Sequence, residues 1–306
     1  MRLGLLSACL PRVELDELVP WAASAGLDAL ELGAWPPDGP WYSASHAPVA
    51  GLTSQRAERV RALLDEHGVA VSSLAYYDNN LHPDSSVRER IHAHLRACIE
   101  AAPRLGAPTV CTFVGRDPTR SVAENLRVAE GIFAELVERA GELGVTLAVE
   151  NCFMNGWHPD GYAGNLAYSP ELWEWLFAQG LYLNYDPSHL PGLGIDPLAA
   201  LAPYVDRVVH VHAKDVEWDA DARNRWGFVG PALDRSEDPW DGGWWRYRLP
   251  GRGGLDWRQI VGTLAAGGFD GTLSIEHEDG DYEGSEELVR EGVAIATASL
   301  REALSR

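Results

Sequence analysis

Four side chains that can bind a metal or transfer a proton stand at the ends of stretches typical of buried strands. They are Glu150, Asp186, His212 and Glu276. An acid or an imidazole at a strand tip contributes little to folding, but it suits metal binding and proton transfer. Three carboxylates and one imidazole form a hard, oxygen-rich donor set, which suits Mn²⁺, Mg²⁺ or Co²⁺ better than a sulfur-type zinc site does. The four residues therefore predict one metal site, provided that the fold brings the strand ends together.

Such convergence requires parallel strands, and the chain alternates short apolar runs with longer amphipathic ones eight times. Eight strand–helix units in 306 residues fit an α/β fold of the (β/α)8 TIM barrel type, as a single domain over residues 1–306. In such a barrel, the C-terminal strand ends meet at the face that carries the active site. The predicted strands cover residues 3–8, 29–32, 69–74, 109–114, 145–150, the start of 181–189, 208–212 and 272–276.

The alternative fold is a doubly wound open sheet. That fold normally has a glycine-rich phosphate-binding turn near its first strand, and residues 5–9 offer none. The barrel is therefore the preferred prediction.

Composition narrows the classes of partner. The formal net charge of −20 opposes phosphate backbones and argues against nucleic acid. No apolar run has the length of a membrane span, and the N-terminal run lacks a signal-peptide cleavage pattern. The four cysteines form no C-x-x-C pair, so they are expected to be reduced thiols of a cytoplasmic protein.

Other polar residues near the predicted barrel mouth are candidates for substrate binding. His189 lies just beyond the sixth strand, where it could reach a substrate oxygen or a neighbouring carboxylate. Lys214 and Asp215 could bind substrate or pair with each other, and Glu31 could line the pocket or satisfy loop amides. His210 is expected to face the helices and to have a structural role.

A tryptophan-rich loop is inserted at about residues 216–254, after the seventh predicted strand. Tryptophan is costly to expose, so this loop must pack on something. One hypothesis is a lid whose rings, including Trp226, stack on a sugar, with Arg252 near the base of the loop. The other is burial in the subunit contact of a homo-oligomer, and both can hold at once. The loop holds five of the 12 tryptophans, namely Trp218, Trp226, Trp240, Trp244 and Trp245.

Several motifs of this chain resemble those of the xylose isomerase-like TIM barrel proteins, described as sugar phosphate isomerases/epimerases. The matching segments occur in the family's order and cover the C-terminal half, whereas the N-terminal half matches mainly in rhythm. The apurinic endonucleases share this fold but need extra histidines on strands three and four, which this chain lacks. The matching segments are residues 148–151 (AVEN), 184–189 (NYDPSH), 210–215 (HVHAKD), 249–257 (LPGRGGLDW) and 274–276 (SIE).

The resemblance implies one divalent metal, most often Mn²⁺ with Mg²⁺, Co²⁺ or Zn²⁺ as alternatives, held by the four strand-end residues. It also implies that Glu150 and Glu276 act as acid and base and that His189 touches the substrate. Sugar epimerases often have an arginine shortly after the histidine of strand seven. This chain has Lys214 there, which leaves the substrate contacts open.

The expected function is a metal-dependent isomerase or epimerase that acts on a small-molecule sugar or keto-sugar. The metal would chelate a carbonyl oxygen and a neighbouring hydroxyl and stabilise the enediolate as it forms, while Glu150 and Glu276 exchange protons with carbon. A second hypothesis keeps the site but makes the enzyme a lyase or dehydratase of a keto-sugar, keto-glycoside or inosose. A third, non-catalytic hypothesis is a sugar-binding barrel.

Overall fold

Eight parallel strands close into a barrel in the computed structural model, which describes residues 1–157, 163–233, 237 and 241–305. The order around the barrel is β1-β10-β7-β6-β5-β4-β3-β2, and a separate two-stranded sheet pairs β8 with β9. The α/β prediction of a (β/α)8 TIM barrel is therefore confirmed. The strands are β1 (Arg2–Leu6), β2 (Ala29–Gly33), β3 (Ala70–Ala75), β4 (Thr109–Thr112), β5 (Thr146–Glu150), β6 (Tyr182–Tyr185), β7 (Val208–Ala213), β8 (Asp215–Trp218), β9 (Trp245–Arg248) and β10 (Thr272–Ile275).

Helices follow the barrel strands and surround them. Their ends carry sequence signals that satisfy the terminal backbone groups. Ser121 and Glu124 form a capping box at the start of α4, and Gly106 ends α3 in the left-handed region at φ 79°. The helices are α1 (Leu15–Ser24), α2 (Ser54–His67), α3 (Ser85–Leu105), α4 (Val122–Glu142), α5 (Pro170–Ala178), α6 (Pro197–Leu201), α7 (Ala220–Trp226), α8 (Trp257–Ala266) and α9 (Glu286–Leu304).

Alternation along the strands separates an apolar layer from a polar barrel interior. In β2, Leu30 and Leu32 belong to the apolar core, so Glu31 between them faces the other way, into the barrel. Glu31 is fully buried, as is most of the polar set that surrounds it. The core between barrel and helices therefore provides the packing, and the interior of the barrel carries the ionisable groups.

Two strand boundaries differ from the prediction. The first predicted strand ran to residue 8, but β1 ends at Leu6 because Ser7–Cys9 forms a turn of 3-10 helix. The fourth was expected to run to residue 114, but β4 ends at Thr112. In the described residues no helix is both long and apolar enough to cross a membrane. All four cysteines are free thiols.

The tryptophan-rich insertion, predicted as a loop, contains regular secondary structure. It contains the antiparallel pair β8 and β9 and the short helix α7, while Trp240 lies outside the described residues. Asp215 holds the two ends of the insertion together. The buried Asp215 carboxylate accepts hydrogen bonds from the backbone N–H groups of Val216, Gly251 and Leu255. It also accepts one from Trp257 Nε1 at 3.1 Å. Asp215 therefore has a structural position and does not pair with Lys214.

Replacing Asp215 by alanine is expected to lower the free energy of unfolding by about 2–4 kcal/mol, since several buried donors lose their charged acceptor together. Urea denaturation measures the loss. The matched control is Asp206→Ala, which removes an exposed carboxylate and should change the free energy of unfolding by less than about 0.5 kcal/mol. Equal stability of the two variants would contradict this role of Asp215.

Candidate active site

The four strand-end residues converge at the C-terminal mouth of the barrel. Their strands, β5, β6, β7 and β10, are consecutive around the barrel, which brings the side chains to one side of the mouth. One donor atom from each of Glu150, Asp186, His212 and Glu276 lies within 4.8 Å of the other three. All four residues are buried. We call this group the quartet.

Two donor atoms of the quartet lack hydrogen bonds although they are buried. His212 Nδ1 lies 2.9 Å from a carboxylate oxygen of Glu276 and 3.5 Å from one of Glu150, but it makes no hydrogen bond. Asp186 Oδ2 is buried without a hydrogen bond as well. Buried polar atoms are rarely left unpaired, and such atoms require an explanation. Donor atoms that face one another around a common point fit a bound cation, so the quartet fits a divalent metal.

The electrostatics of the quartet agree with a cation site. Burial alone would raise the pKa of Glu150, but His212, His189 and Lys214 outweigh it and hold that pKa at about 2. Burial works against charge on His212 too, yet the carboxylates of Glu276, Glu31 and Glu150 hold its pKa well above the ordinary value. A metal ligand must be a neutral imidazole, so a cation that binds here would displace a proton.

Glu31 lies behind His212, on the side away from the other carboxylates. Its Oε2 is 3.0 Å from His212 Nε2, and its Oε1 accepts a hydrogen bond from the Tyr77 hydroxyl at 2.7 Å. In the neutral imidazole that a metal requires, this arrangement favours a proton on Nε2 and directs Nδ1 toward the quartet. Carboxylates commonly orient metal-binding histidines in this way.

His210 points into the barrel, so the prediction that it faces the helices is wrong. Residues two apart on a strand share a face, and His210 and His212 therefore point the same way. His210 Nδ1 lies 3.0 Å from Asn184 Oδ1, and Nε2 lies 3.1 Å from Ser72 Oγ. Burial lowers its pKa to about 4, so the ring is a neutral member of an internal hydrogen-bond network.

His189 and Lys214 both reach the quartet. His189 Nε2 is 3.1 Å from Asp186 Oδ2 and 3.2 Å from Glu150 Oε1. Lys214 Nζ is 2.8 Å from Glu276 Oε2 and 3.2 Å from Asp186 Oδ2. These two cationic groups offset part of the negative charge of the buried carboxylates.

The structure places the other two predicted substrate-binding residues elsewhere. Arg252 contacts Asp279 at 3.6 Å and Asp281 at 3.8 Å and stacks on the Tyr282 ring. Trp226 ends α7 and is not among the residues that line a cleft of about 560 Å³ beside the quartet. Sequence distance alone could not show on which side of the insertion these side chains lie.

Two tyrosines near the quartet are absent from the sequence predictions. The Tyr247 hydroxyl lies 2.8 Å from His189 Nδ1, and its ring lies 4.5 Å from Lys214 Nζ. Tyr77 bonds Glu31 and also lies 3.1 Å from His212 Nε2. Tyr77 had one available signal, because it closely follows the third strand. Tyr247 had none, since its position depends on how β9 pairs with β8.

A family model and two relatives match the sequence of this chain over different shares of its length. A family model described as a xylose isomerase-like TIM barrel matches residues 19–299. The uncharacterized protein YfiH of Bacillus subtilis (strain 168) is 26% identical over 312 aligned residues, covering 91% of this chain and 93% of that protein. An inosose dehydratase of Clostridium tetani (strain Massachusetts / E88) is 29% identical over 101 residues, which are 32% of this chain and only 30% of that relative.

Solved structures show the same architecture. The IOLI protein with a binding zinc atom superposes with a TM-score of 0.73 at 19% identity, over 100% of this chain and 98% of that one. Other solved neighbours include sugar epimerases. At such identities the likeness shows the fold, whereas the family match extends over most of the sequence. The chain belongs to the xylose isomerase-like TIM barrel family.

Proposed function

We propose that this chain is a divalent-metal-dependent enzyme that isomerises or epimerises a sugar or keto-sugar. The observation that carries the proposal is the quartet, in which four donor atoms converge and His212 Nδ1 and Asp186 Oδ2 are buried without a hydrogen bond. The family match and the epimerases among the structural neighbours support this class of reaction.

Glu150, Asp186, His212 and Glu276 would hold the metal. Bound there, a divalent cation would stabilise negative charge on a substrate carbonyl oxygen as a Lewis acid. The oxygen-rich donor set favours Mn²⁺, with Mg²⁺ and Co²⁺ next. Zn²⁺ stays an alternative, because one neighbour of this fold holds zinc.

Glu150 and Glu276 would exchange protons with the substrate carbon beside the carbonyl. Glu150 ends β5 and Glu276 directly follows β10, and β6 and β7 lie between these two strands. The two carboxylates therefore reach the centre of the quartet from two sides. In epimerisation, one carboxylate removes the proton from one face and the other returns a proton to the opposite face. In isomerisation, a proton returns to the neighbouring carbon.

His189 and Lys214 would bind and orient substrate oxygens. Both donate from inside the mouth and already contact quartet carboxylates, so an oxygen held by the quartet lies within their reach. Tyr247 holds His189 through Nδ1 at 2.8 Å, which fixes the direction of the other ring nitrogen.

A second candidate function is a lyase or dehydratase. The inosose dehydratases among the relatives favour it, and the same two carboxylates could remove a proton and assist a leaving hydroxyl. Cytoplasmic location and assembly as a homo-oligomer also belong to the proposal. The four free thiols support the first.

Loading with Mn²⁺ is expected to raise the thermal midpoint of the metal-stripped protein, because a ligand that binds the native state stabilises it. Asp186→Asn should lose that rise, and the metal content of the purified variant should fall well below one ion per chain. The control Asp206→Asn, at an exposed site, should bind metal as the parent does. A parent protein with no divalent metal and no response to Mn²⁺ would contradict the site.

Glu150→Gln and Glu276→Gln are each expected to slow proton exchange at the carbon beside the carbonyl by about 10²–10⁴-fold, which is typical of losing a general acid or base. The assay offers ketoses, inososes and 3-keto-glycosides in deuterated water and follows deuterium uptake by mass spectrometry. Glu217→Gln, at a half-exposed carboxylate of the insertion that pairs with Arg246 and Arg248, is the control. Full turnover in Glu276→Gln would refute the assignment, and loss of a substituent from the product would favour the lyase.

Glu31→Gln is expected to weaken Mn²⁺ binding by about 10–100-fold without removing any of the four ligands, since it loosens the orientation of His212. Calorimetric titration measures the affinity. Tyr77→Phe removes only the hydroxyl that supports Glu31 and should have a smaller effect in the same direction. Unchanged affinity in Glu31→Gln would show that Glu31 does not position His212.

A further inference from the structure

A cleft of about 560 Å³ opens beside the quartet at the mouth of the barrel. Volumes of about 300–1,000 Å³ are typical of pockets that bury most of the surface of a drug-sized ligand. The loops after β5 and β6 and the inserted strand β9 form its walls. None of the quartet residues lines it, so the cleft extends the site rather than containing the reacting centre.

Five aromatic rings line the cleft. Phe153 and Tyr168 meet edge to face in the segment between β5 and α5, with centroids 6.4 Å apart. Trp245 and Tyr247 share one face of β9, with centroids 4.9 Å apart. Phe228 adds a fifth ring. Such rings favour a planar, apolar ligand group, which they contact by stacking or edge-to-face packing.

The charges on the walls do not favour a phosphate. Apart from His189, the charged side chains among the described lining residues are Arg116 and Asp241, which have opposite charges. The Arg116 guanidinium already donates to the Ala163 carbonyl oxygen at 3.1 Å, which holds it against the wall. A phosphate site would concentrate several cationic donors, and the lining residues that the structure describes do not form such a cluster.

Part of the apolar wall is open to solvent. Phe228 is 58% exposed and Val229 is 62% exposed, although both line the cleft. Neighbouring exposed apolar side chains at the edge of a site often mark a surface that a ligand covers. An apolar group in the cleft would bury them.

His189 and Tyr247 join the cleft to the quartet. Both line the cleft, while His189 also contacts Glu150 and Asp186. A ligand that places its carbonyl at the quartet would therefore project its next substituent past His189 into the ring-lined space.

We infer that the substrate is a glycoside of a keto-sugar, whose planar apolar aglycone lies in this cleft while the ring ketone meets the quartet. The inference rests on the proposed function. It also restricts the chemistry, because a glycoside has its anomeric carbon locked as an acetal. The acidic C–H must then lie beside a ketone within the ring, which excludes aldose–ketose isomerisation and leaves epimerisation or elimination.

The test compares the phenyl and methyl glycosides of 3-keto-D-glucose with the Mn²⁺-loaded full-length chain, by deuterium uptake beside the ketone. The phenyl glycoside should have a kcat/KM at least about tenfold higher, mainly through KM, because its ring is desolvated among aromatic side chains. Trp245→Ala and, independently, Phe153→Ala should each reduce this ratio severalfold, because the loss in kcat/KM is larger for the phenyl glycoside than for the methyl glycoside. Trp41→Ala, at a 61% exposed position outside the cleft, should leave the ratio unaltered.

Exchange at equal kcat/KM for both glycosides, or faster exchange with a phosphorylated ketose, would overturn the inference while the proposed function stands. Absence of exchange with every carbonyl substrate would overturn the proposed function instead. Calorimetric titration with the unreactive phenyl and methyl β-D-glucosides then tests, independently of catalysis, whether the cleft binds the aglycone. Tighter binding of the phenyl glucoside that Trp245→Ala and Phe153→Ala abolish supports an aglycone site, and equal binding refutes it.

Discussion

The site depends on how one imidazole is held between carboxylates. Glu31 accepts from His212 Nε2 on one side, which leaves Nδ1 directed at Glu276 and Glu150 on the other. So many buried acids would repel one another unless cations compensate them. Lys214 and the two site histidines offset part of that charge, and a divalent metal would offset the rest. Without Glu31, His212 could rotate and the quartet would lose its one nitrogen donor.

This requirement explains the division of the barrel into layers. Apolar residues that face the helices supply the packing, which leaves the interior positions available for groups that destabilise a fold when they are unpaired. Glu31 between Leu30 and Leu32 shows this division within three residues of one strand. The hydrogen bonds from Tyr77 and the network around His210 then satisfy the interior groups. The free energy gained by packing the apolar layer thus offsets the free-energy cost of burying the charged groups of the site.

Strand periodicity was sufficient to predict the barrel and the convergence of the quartet, because parallel strands must end at one face. The same reasoning failed for His210, where the period of two was misapplied. It also could not locate Trp226, Arg252 or Tyr247, because these side chains depend on the pairing of β8 with β9 inside a long insertion. Asp215 had been considered for substrate binding, yet its contacts belong to the base of that insertion. Local patterns therefore predict strand ends, whereas inserted segments need tertiary contacts.

The most direct test of the account is a crystal structure of the Mn²⁺-loaded protein with anomalous diffraction from the metal. The account predicts one anomalous peak bounded by Glu150, Asp186, Glu276 and the Nδ1 atom of His212, with Nε2 still bonded to Glu31. A metal bound through Nε2, or located outside the quartet, would contradict it.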